Sequence, residues 1–508
     1  MQRFVVAIDQ GTSSTRVVLY DLQLRAVKTA SRPLVPRAPQ PGWLEMDGQD
    51  ILASVDACLA EACEGLAPGQ VVCAGLTNQR ETTLALDTET GLALSPAILW
   101  SDTRTADICG EWRSDAEWAA RLTQRTGLPV SPYFSASKMA WLLRHQPGVA
   151  EARRAGRLAF ATVDAFVLRH LTGRLATDGS NASRTLLMDL AALRYDPELV
   201  AHLGLAGCAL PEILPSTGLF GRVASGALAG TPVTAVLGDQ QAALLGQGCL
   251  APGDAKATFG TGCFLLQHAG TRPPTAECAA AGLVATVALQ TGPAAATYAA
   301  EGSVAAAGSV VTWLRDQLGL IGSYEQLDEE AGKVEDCGGV TVVPAFGGLL
   351  APHWRSDARA AVLGLSLGSS RAHLVRACLA GVAQSVADVA EAMGGAEGAP
   401  LRVDGGLAAS RVLIQLVADC TGREVGGKKV CCLLKRDRCG CARSARRRRW
   451  ERRWRRGRGR GCGRWRKKAA PCPPPGTPSC RASPTLSDST CAATGKRISS
   501  SALTSKGQ

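Results

Sequence analysis

Asp9 ends an apolar run, Phe4-Val5-Val6-Ala7-Ile8, and is followed by Gln10-Gly11-Thr12-Ser13-Ser14-Thr15 and then Arg16. A turn of this composition can bind phosphate. Gly11, Thr12 and Ser13 offer backbone N–H groups, Thr12, Ser13 and Ser14 offer hydroxyls, and Arg16 offers a guanidinium. A carboxylate at the strand end, Asp9, suits a hydrated Mg²⁺ that neutralises the outer phosphates of a nucleotide. The same tip also occurs as a plain surface turn, so the motif by itself leaves both readings open. The chain has no Gly-x-x-x-x-Gly-Lys-Ser/Thr sequence and no convincing Gly-x-Gly-x-x-Gly, so any phosphate site must be built by other means. Three further segments favour such a site. Leu237-Gly238-Asp239-Gln240-Gln241-Ala242 places a carboxylate and two amides after a strand, and Phe259-Gly260-Thr261-Gly262 makes a second hydroxyl-bearing turn. Leu401-Arg402-Val403-Asp404-Gly405-Gly406 runs from a strand into glycines ahead of a helical pattern, which lets backbone approach a nucleotide closely.

The elements that would position these groups follow from periodicity. The segment around Asp9 predicts a β-hairpin whose second strand is Arg16–Tyr20, and Ala257–Leu266 repeats the layout, so two related α/β domains are expected. Ile51, Leu52, Val55, Cys58, Leu59 and Ala62 share one helix face with Asp47 placed to cap, and Leu374, Val375, Cys378, Leu379, Val382 and Val386 share another. Val71–Leu76 and Val340–Val343 read as strands bounded by turns. The alternation predicts an α/β fold, with domains at 1–245 and 246–425 and a separate segment from 426 to 508.

Charge separates that last segment from the rest. The whole chain carries +12, yet residues 426–508 hold 24 Lys and Arg against 3 Asp and Glu, which leaves the first 425 residues at −9. The acidic body gives no footing for nucleic acid. The Arg446–Arg449 run and the Pro/Ser/Thr-rich text after it lack core-forming periodicity, predicting a disordered tail or an altered gene model. No base-reading fold accompanies the charge, and Cys431, Cys432, Cys439 and Cys441 have neither zinc-site spacing nor a tail histidine to join them, so no specific nucleic-acid partner is expected. Eleven cysteines are scattered through the body, which reads as reduced thiols of a cytoplasmic protein, and no targeting segment is visible. The uncharged stretch Ala279–Ala300 is long enough to span a bilayer, but it is rich in Ala, Thr and Gly and predicts buried strands.

Taken in order, the motifs are Ala7–Thr12, Pro41-Gly42-Trp43-Leu44-Glu45, Thr77-Asn78-Gln79-Arg80-Glu81-Thr82-Thr83, Pro132–Lys138, Asn181-Ala182-Ser183-Arg184-Thr185, Gly238–Ala242, Trp313-Leu314-Arg315-Asp316 and Gly348–Trp354. Over residues 4–425 this series resembles the FGGY carbohydrate kinases and, within them, the glycerol kinases. The resemblance implies two ribonuclease-H-like domains of the actin and hexokinase type, with ATP and its acceptor meeting in the cleft between them. It assigns Arg80, Glu81, Tyr133, Asp239 and Gln240 to glycerol hydroxyls, and Trp100 and Phe264 to the apolar walls against its carbon chain. It assigns Thr12, Ser13, Ser14 and Arg16 to the nucleotide phosphates with Thr261 opposite, and Gly308, Thr312, Gly406 and Ser410 to the nucleotide's surroundings. Thr312 stands where the family often has Gln, and Ser410 where it often has Asn, which shortens two polar side chains near the adenosine. The implied reaction is ATP-dependent phosphorylation of glycerol to sn-glycerol 3-phosphate, with Mg²⁺ at Asp9 and Asp239 as general base. The alternatives are a kinase for another small polyol or ketose, or a glycerol-binding protein impaired by its altered carboxyl end. A homo-oligomer is compatible with the sequence.

Overall fold

The computed structural model describes residues 2–292, 295–355, 357–394 and 399–427. Of the segment 426–508 only Gly426 and Gly427 fall within it, so the expectations for the basic tail lie outside the described residues.

Two six-stranded sheets form the frame. The first contains β1 (Phe4–Gln10), β2 (Ser14–Asp21), β3 (Ala26–Pro33), β4 (Val71–Asn78), β5 (Thr217–Arg222) and β6 (Pro232–Gly238), in the spatial order β5-β6-β4-β1-β2-β3. The second contains β7 (Ala255–Phe259), β8 (Cys263–Gly270), β9 (Val284–Leu289), β10 (Thr297–Val304), β11 (Leu401–Asp404) and β12 (Val425–Gly426), in the order β9-β10-β8-β7-β11-β12. In each sheet a hairpin strand is the pivot. β1 pairs antiparallel with β2 and parallel with β4, while β7 pairs antiparallel with β8 and parallel with β11. The two expected hairpins therefore share one local pattern, an antiparallel partner on one side and a parallel partner on the other, while the outer strands are arranged differently in the two sheets, and the turn of each opens at the carboxyl end of its first strand. There, in open α/β sheets, ligands are bound.

Local chemistry accounts for the flanking helices. Asp47 caps helix Gly48–Ala62 by accepting from the Gln49 N–H at 2.8 Å, and Ile51, Val55, Cys58 and Leu59 face the first sheet's core. Helix Arg371–Ala392 buries Val375, Cys378, Leu379, Val382 and Val386 against the second. The stretch Ala279–Ala300 contains the end of a short helix, all of β9 and part of β10, and it belongs to a sheet core as expected. Among the described residues no helix is long and apolar enough to cross a membrane. The eleven cysteines of the described residues are free thiols.

A smaller four-stranded sheet, containing Thr83–Asp87 and Ala97–Ile98, stands beside the first large one. It presents Glu81 just before one strand and Trp100 just after another.

Candidate active site

The tip between β1 and β2 is closed by the Gly11 N–H donating to the Ser14 carbonyl at 3.0 Å. Among the described residues, the N–H groups of Thr12 and Ser13 and the hydroxyls of Ser13 and Ser14 have no protein partner. Unpaired donors converging on one small turn are a suitable cradle for an anion. The Thr12 hydroxyl is different. It donates to Gln79 Oε1 at 3.1 Å and accepts the Trp100 indole N–H at 3.0 Å, so what Thr12 has left to offer a phosphate is its backbone N–H.

Trp100 is thereby fixed between the tip and a ring cluster. Its ring lies 5.8 Å from Tyr133 and 5.8 Å from Phe264, edge-on to both. Phe264 comes from β8 of the second sheet, so the cluster closes across the two halves of the molecule. Tyr133 is set by Lys138, a fully buried side chain that donates to the carbonyls of Pro132 and Tyr133, each at 2.7 Å.

Arg80 and Glu81 are adjacent in sequence but do not pair closely, their nearest approach being 3.9 Å. Arg80 instead makes a two-pronged pair with Glu301 of β10, at 2.6 and 2.9 Å, and points Nε at Asp239 Oδ1 at 3.4 Å. Glu81 accepts from Arg184 Nε at 2.6 Å, and Arg184 also reaches Glu301 at 3.0 Å. The result is a buried chain Glu81–Arg184–Glu301–Arg80 that ends at Asp239. Burial alone would push the Glu301 carboxyl up, but Arg184 and Arg80 outweigh it and hold it at about 2. Glu81 is less well compensated. Its burial raises the carboxyl against Arg184 and Arg80, and its backbone sits at φ +62°, a left-handed conformation seldom taken by a residue with a side chain. Such strain persists where surrounding bonds over-determine the residue. Here the Glu81 carbonyl accepts from Thr83 and Ser135 while Arg184 holds its carboxylate.

Asp239 is the first residue of the helix that follows β6, Asp239–Gly246. Its Oδ1 accepts the Gln240 N–H at 2.7 Å and faces Arg80, which leaves Oδ2 without a protein donor among the described residues. With 37% of its side chain exposed, the carboxylate borders open space while the groups behind it are buried. Loss of hydration pushes its carboxyl above the ordinary value. Arg80 and Lys256 oppose that shift and the Asp9 charge adds to it. Asp9 is likewise raised by burial, against Arg16.

Asp9 and Asp239, whose charges act on one another, are carboxylates of the kind a divalent cation takes when phosphate oxygens complete its shell. Among the described residues no three His, Cys, Asp or Glu are grouped to hold a metal alone. A Mg²⁺ at Asp9 would complete its shell with phosphate oxygens and water, the mode this ion favours.

In the second sheet, the Phe259–Gly262 turn meets the start of helix Gly308–Asp316. The N–H groups of Gly308 and Ser309 donate to the carbonyls of Gly260 and Thr261, at 2.9 and 3.1 Å. A Cβ on Gly308 would lie 2.5 Å from the Gly260 oxygen, so only glycine permits this approach. Thr312 bonds back to the Gly308 carbonyl within the same helix. Gly406 opens a short helical turn after β11, with open space where its Cβ would be. Ser410 caps helix Arg411–Thr421 by accepting the Leu413 N–H, and donates to the Asp328 carboxylate. Its hydroxyl is thus committed to the fold.

Of the site residues expected from sequence, direct contacts join Thr12, Trp100, Tyr133 and Phe264 in one cluster, and Arg80, Asp239 and Glu81 through a second, charged one. Thr261, Gly308 and Thr312 belong to a third group around the Gly260–Gly262 turn, with Gly406 and Ser410 at the short turn and helix start after β11. Three charged residues given no role from sequence belong with them. Glu301 and Arg184 complete the buried chain, and Lys256 of β7 donates to Gln240 Oε1 and Thr258 Oγ1. Lys256 stands out as the one charge in its strand, whereas Glu301 and Arg184 take their roles from partners far along the chain.

The N-terminal domain of the FGGY family of carbohydrate kinases matches residues 4–246, and the C-terminal domain of that family matches 255–432. The chain belongs to the FGGY family of carbohydrate kinases. Among its FGGY relatives, a glycerol kinase of Leptothrix cholodnii is 46% identical over 431 residues, covering 82% of this chain and 86% of that one. A glycerol kinase of Nocardia farcinica is 43% identical over 429 residues, covering 82% and 85%. The crystal structure of Plasmodium falciparum glycerol kinase with ADP superposes with a TM-score of 0.76 at 33% identity, covering 84% and 86%. A ligand-bound xylulose kinase from Lactobacillus acidophilus, at 20% identity and a TM-score of 0.74, shares the fold.

Proposed function

We propose that this FGGY kinase transfers the γ-phosphoryl group of ATP to a terminal hydroxyl of glycerol, giving sn-glycerol 3-phosphate. The observation that carries the reading is the bond from Trp100 Nε1 to Thr12 Oγ1, at 3.0 Å. It joins a wall of the ring-lined pocket directly to the phosphate tip, so an acceptor against Trp100 lies beside a phosphate on Thr12 and Ser13. The glycerol kinases among its relatives support the choice of acceptor, and the ADP-bound neighbour supports the nucleotide.

Each group then has a task. Trp100, Tyr133 and Phe264 take the C–H face of the acceptor, while Arg80, Glu81, Asp239 and Gln240 supply charges and hydrogen bonds. Asp239 Oδ2 accepts the proton of the attacking hydroxyl, and its raised affinity for protons makes it a better base than an ordinary carboxylate. The N–H groups of Thr12 and Ser13, the hydroxyls of Ser13 and Ser14 and the Arg16 guanidinium receive the phosphate oxygens, with Thr261 facing them. Mg²⁺ at Asp9, when bound, neutralises phosphate charge. Gly308, Thr312, Gly406 and Ser410 form the nucleotide's surroundings, Ser410 through the helix start it fixes rather than through its hydroxyl.

The choice of acceptor is tested by ADP formation with ATP, Mg²⁺ and a panel of glycerol, 1,3-propanediol, erythritol and xylulose. Glycerol is expected to give the highest kcat/KM. Loss of the central hydroxyl in 1,3-propanediol should lower it by about 10-fold or more, because buried partners are left unpaired. Preference for xylulose or erythritol would overturn the assignment of glycerol.

A further inference from the structure

We propose that Lys256 is a positioning residue that fixes the side-chain amide of Gln240, so that the NH₂ group of Gln240, and not its carbonyl, is presented to the acceptor. The proposal rests on the reading of the cleft as the site of acceptor phosphorylation, and concerns which way one hydrogen bond in it runs.

Lys256 lies on β7 with no exposed surface. Its ammonium donates to Thr258 Oγ1 at 2.8 Å and to Gln240 Oε1. A buried ammonium carries three donors and no acceptor. If the Gln240 amide were turned over, its NH₂ would face those donors, leaving a buried cation short of an acceptor and two donor groups in contact. The orientation of this amide is therefore dictated by chemistry. With Oε1 consumed, what Gln240 has left is Nε2. Among the described residues Nε2 has no protein acceptor, and Gln240 retains 7% of its surface. Next to it stands Asp239, whose Oδ2 accepts from no donor among the described residues. The two neighbours thus offer complementary groups, an acceptor at Asp239 and a donor at Gln240, to adjacent hydroxyls of one small polyol.

The pair also crosses the molecule. Gln240 sits on the helix after β6 of the first sheet, whereas Lys256 sits on β7 of the second, three residues before the Phe259–Gly262 turn. Lys256 thereby ties the acceptor side of the cleft to the strand that leads into the turn facing the phosphates.

The test uses the full chain with Lys256→Met, Gln240→Ala and the double variant, measuring KM for acceptor and for ATP. Lys256→Met is expected to raise the glycerol KM by about 10- to 100-fold, the effect of one lost hydrogen bond to a buried polar partner, with the ATP KM changed less than about threefold. The double variant should be no worse than the worse single one, because the two residues act as one unit. Lys256→Arg, which keeps donors, should recover part of the loss. Gln240→Glu supplies a second test that does not remove the buried cation. It keeps an oxygen on Lys256 and replaces the cleft-facing donor with an acceptor, and should raise the glycerol KM without lowering Tm. An unchanged glycerol KM in Lys256→Met or Gln240→Glu, or additive effects in the double variant, would overturn the proposal. Wild-type turnover of glycerol reports on the function itself. The ratio of variant to wild type, measured with whichever polyol of the panel is phosphorylated, reports on the amide.

Discussion

Replacing Asp239 by Asn lowers kcat by about 10²- to 10⁴-fold while leaving glycerol binding within a few-fold of wild type, the signature of a lost general base. The amide can still accept from the Gln240 N–H and still faces Arg80, but it cannot take a proton from the acceptor hydroxyl. The pH profile separates this loss from mere distortion. A base works only when deprotonated, so wild-type kcat/KM should fall as pH drops through the Asp239 pKa. Burial places that pKa above the ordinary 3.8 in the free enzyme. In Asp239→Asn the residual activity should lose that acidic limb. Steady-state kinetics across pH, with glycerol binding measured by calorimetry, checks both parts. Near-normal turnover in the variant would remove Asp239 from the role of base.

The second large effect is on stability, at a residue that touches no reacting atom. Glu301→Gln is expected to destabilise the protein by about 3–5 kcal/mol, because it leaves Arg80 and Arg184 buried without their shared carboxylate. The pair is also a pH-dependent device. The Glu301 carboxyl is held at about 2 in the folded protein against an ordinary 4.5. A depressed carboxylate contributes stability that is present above the unfolded pKa and lost as pH falls through the folded one. Its contribution should therefore fade between about pH 4.5 and about pH 2. Chemical denaturation of wild type and variant at neutral pH, repeated at the acid end of the range where the fold survives, measures both. The gap between the two proteins should narrow in acid. A difference below about 1 kcal/mol at neutral pH would show that Arg80 and Arg184 find other partners.

These two residues also show what could be read from the chain before its structure was known. Asp239 is visible because its signal is local, a carboxylate and two amides at the junction of a strand and a helix. The Gly11–Ser14 and Gly260–Gly262 tips are visible for the same reason, since turn chemistry is written in consecutive residues. The presence of two similar hairpins followed from that pattern, and in the structure each has an antiparallel and a parallel neighbour, while the order of the outer strands was not legible. Glu301 is different. Its partner Arg80 lies 221 positions away, and no local rule connects a lone acid in a strand of small residues with an arginine in a distant loop. The same distance hid the use of the Thr12 hydroxyl, whose donor Trp100 is 88 positions along the chain. Arg80 and Glu81 show the converse error that sequence proximity invites. Neighbours in the chain, they look like a pair, yet each is matched to a different residue. Ser410 could have been read more fully. A serine directly before a helical pattern is a cap by local chemistry, and the hydroxyl is held by Asp328 and the Leu413 N–H.

The most direct measurement is the product formed when the purified full chain is incubated with ATP, Mg²⁺ and glycerol, followed by ³¹P NMR. The account predicts one phosphomonoester on a primary carbon of glycerol, appearing in step with ADP and absent when glycerol is withheld. ADP and inorganic phosphate formed alike with and without glycerol, or glycerol bound with no phosphoester formed, would contradict it.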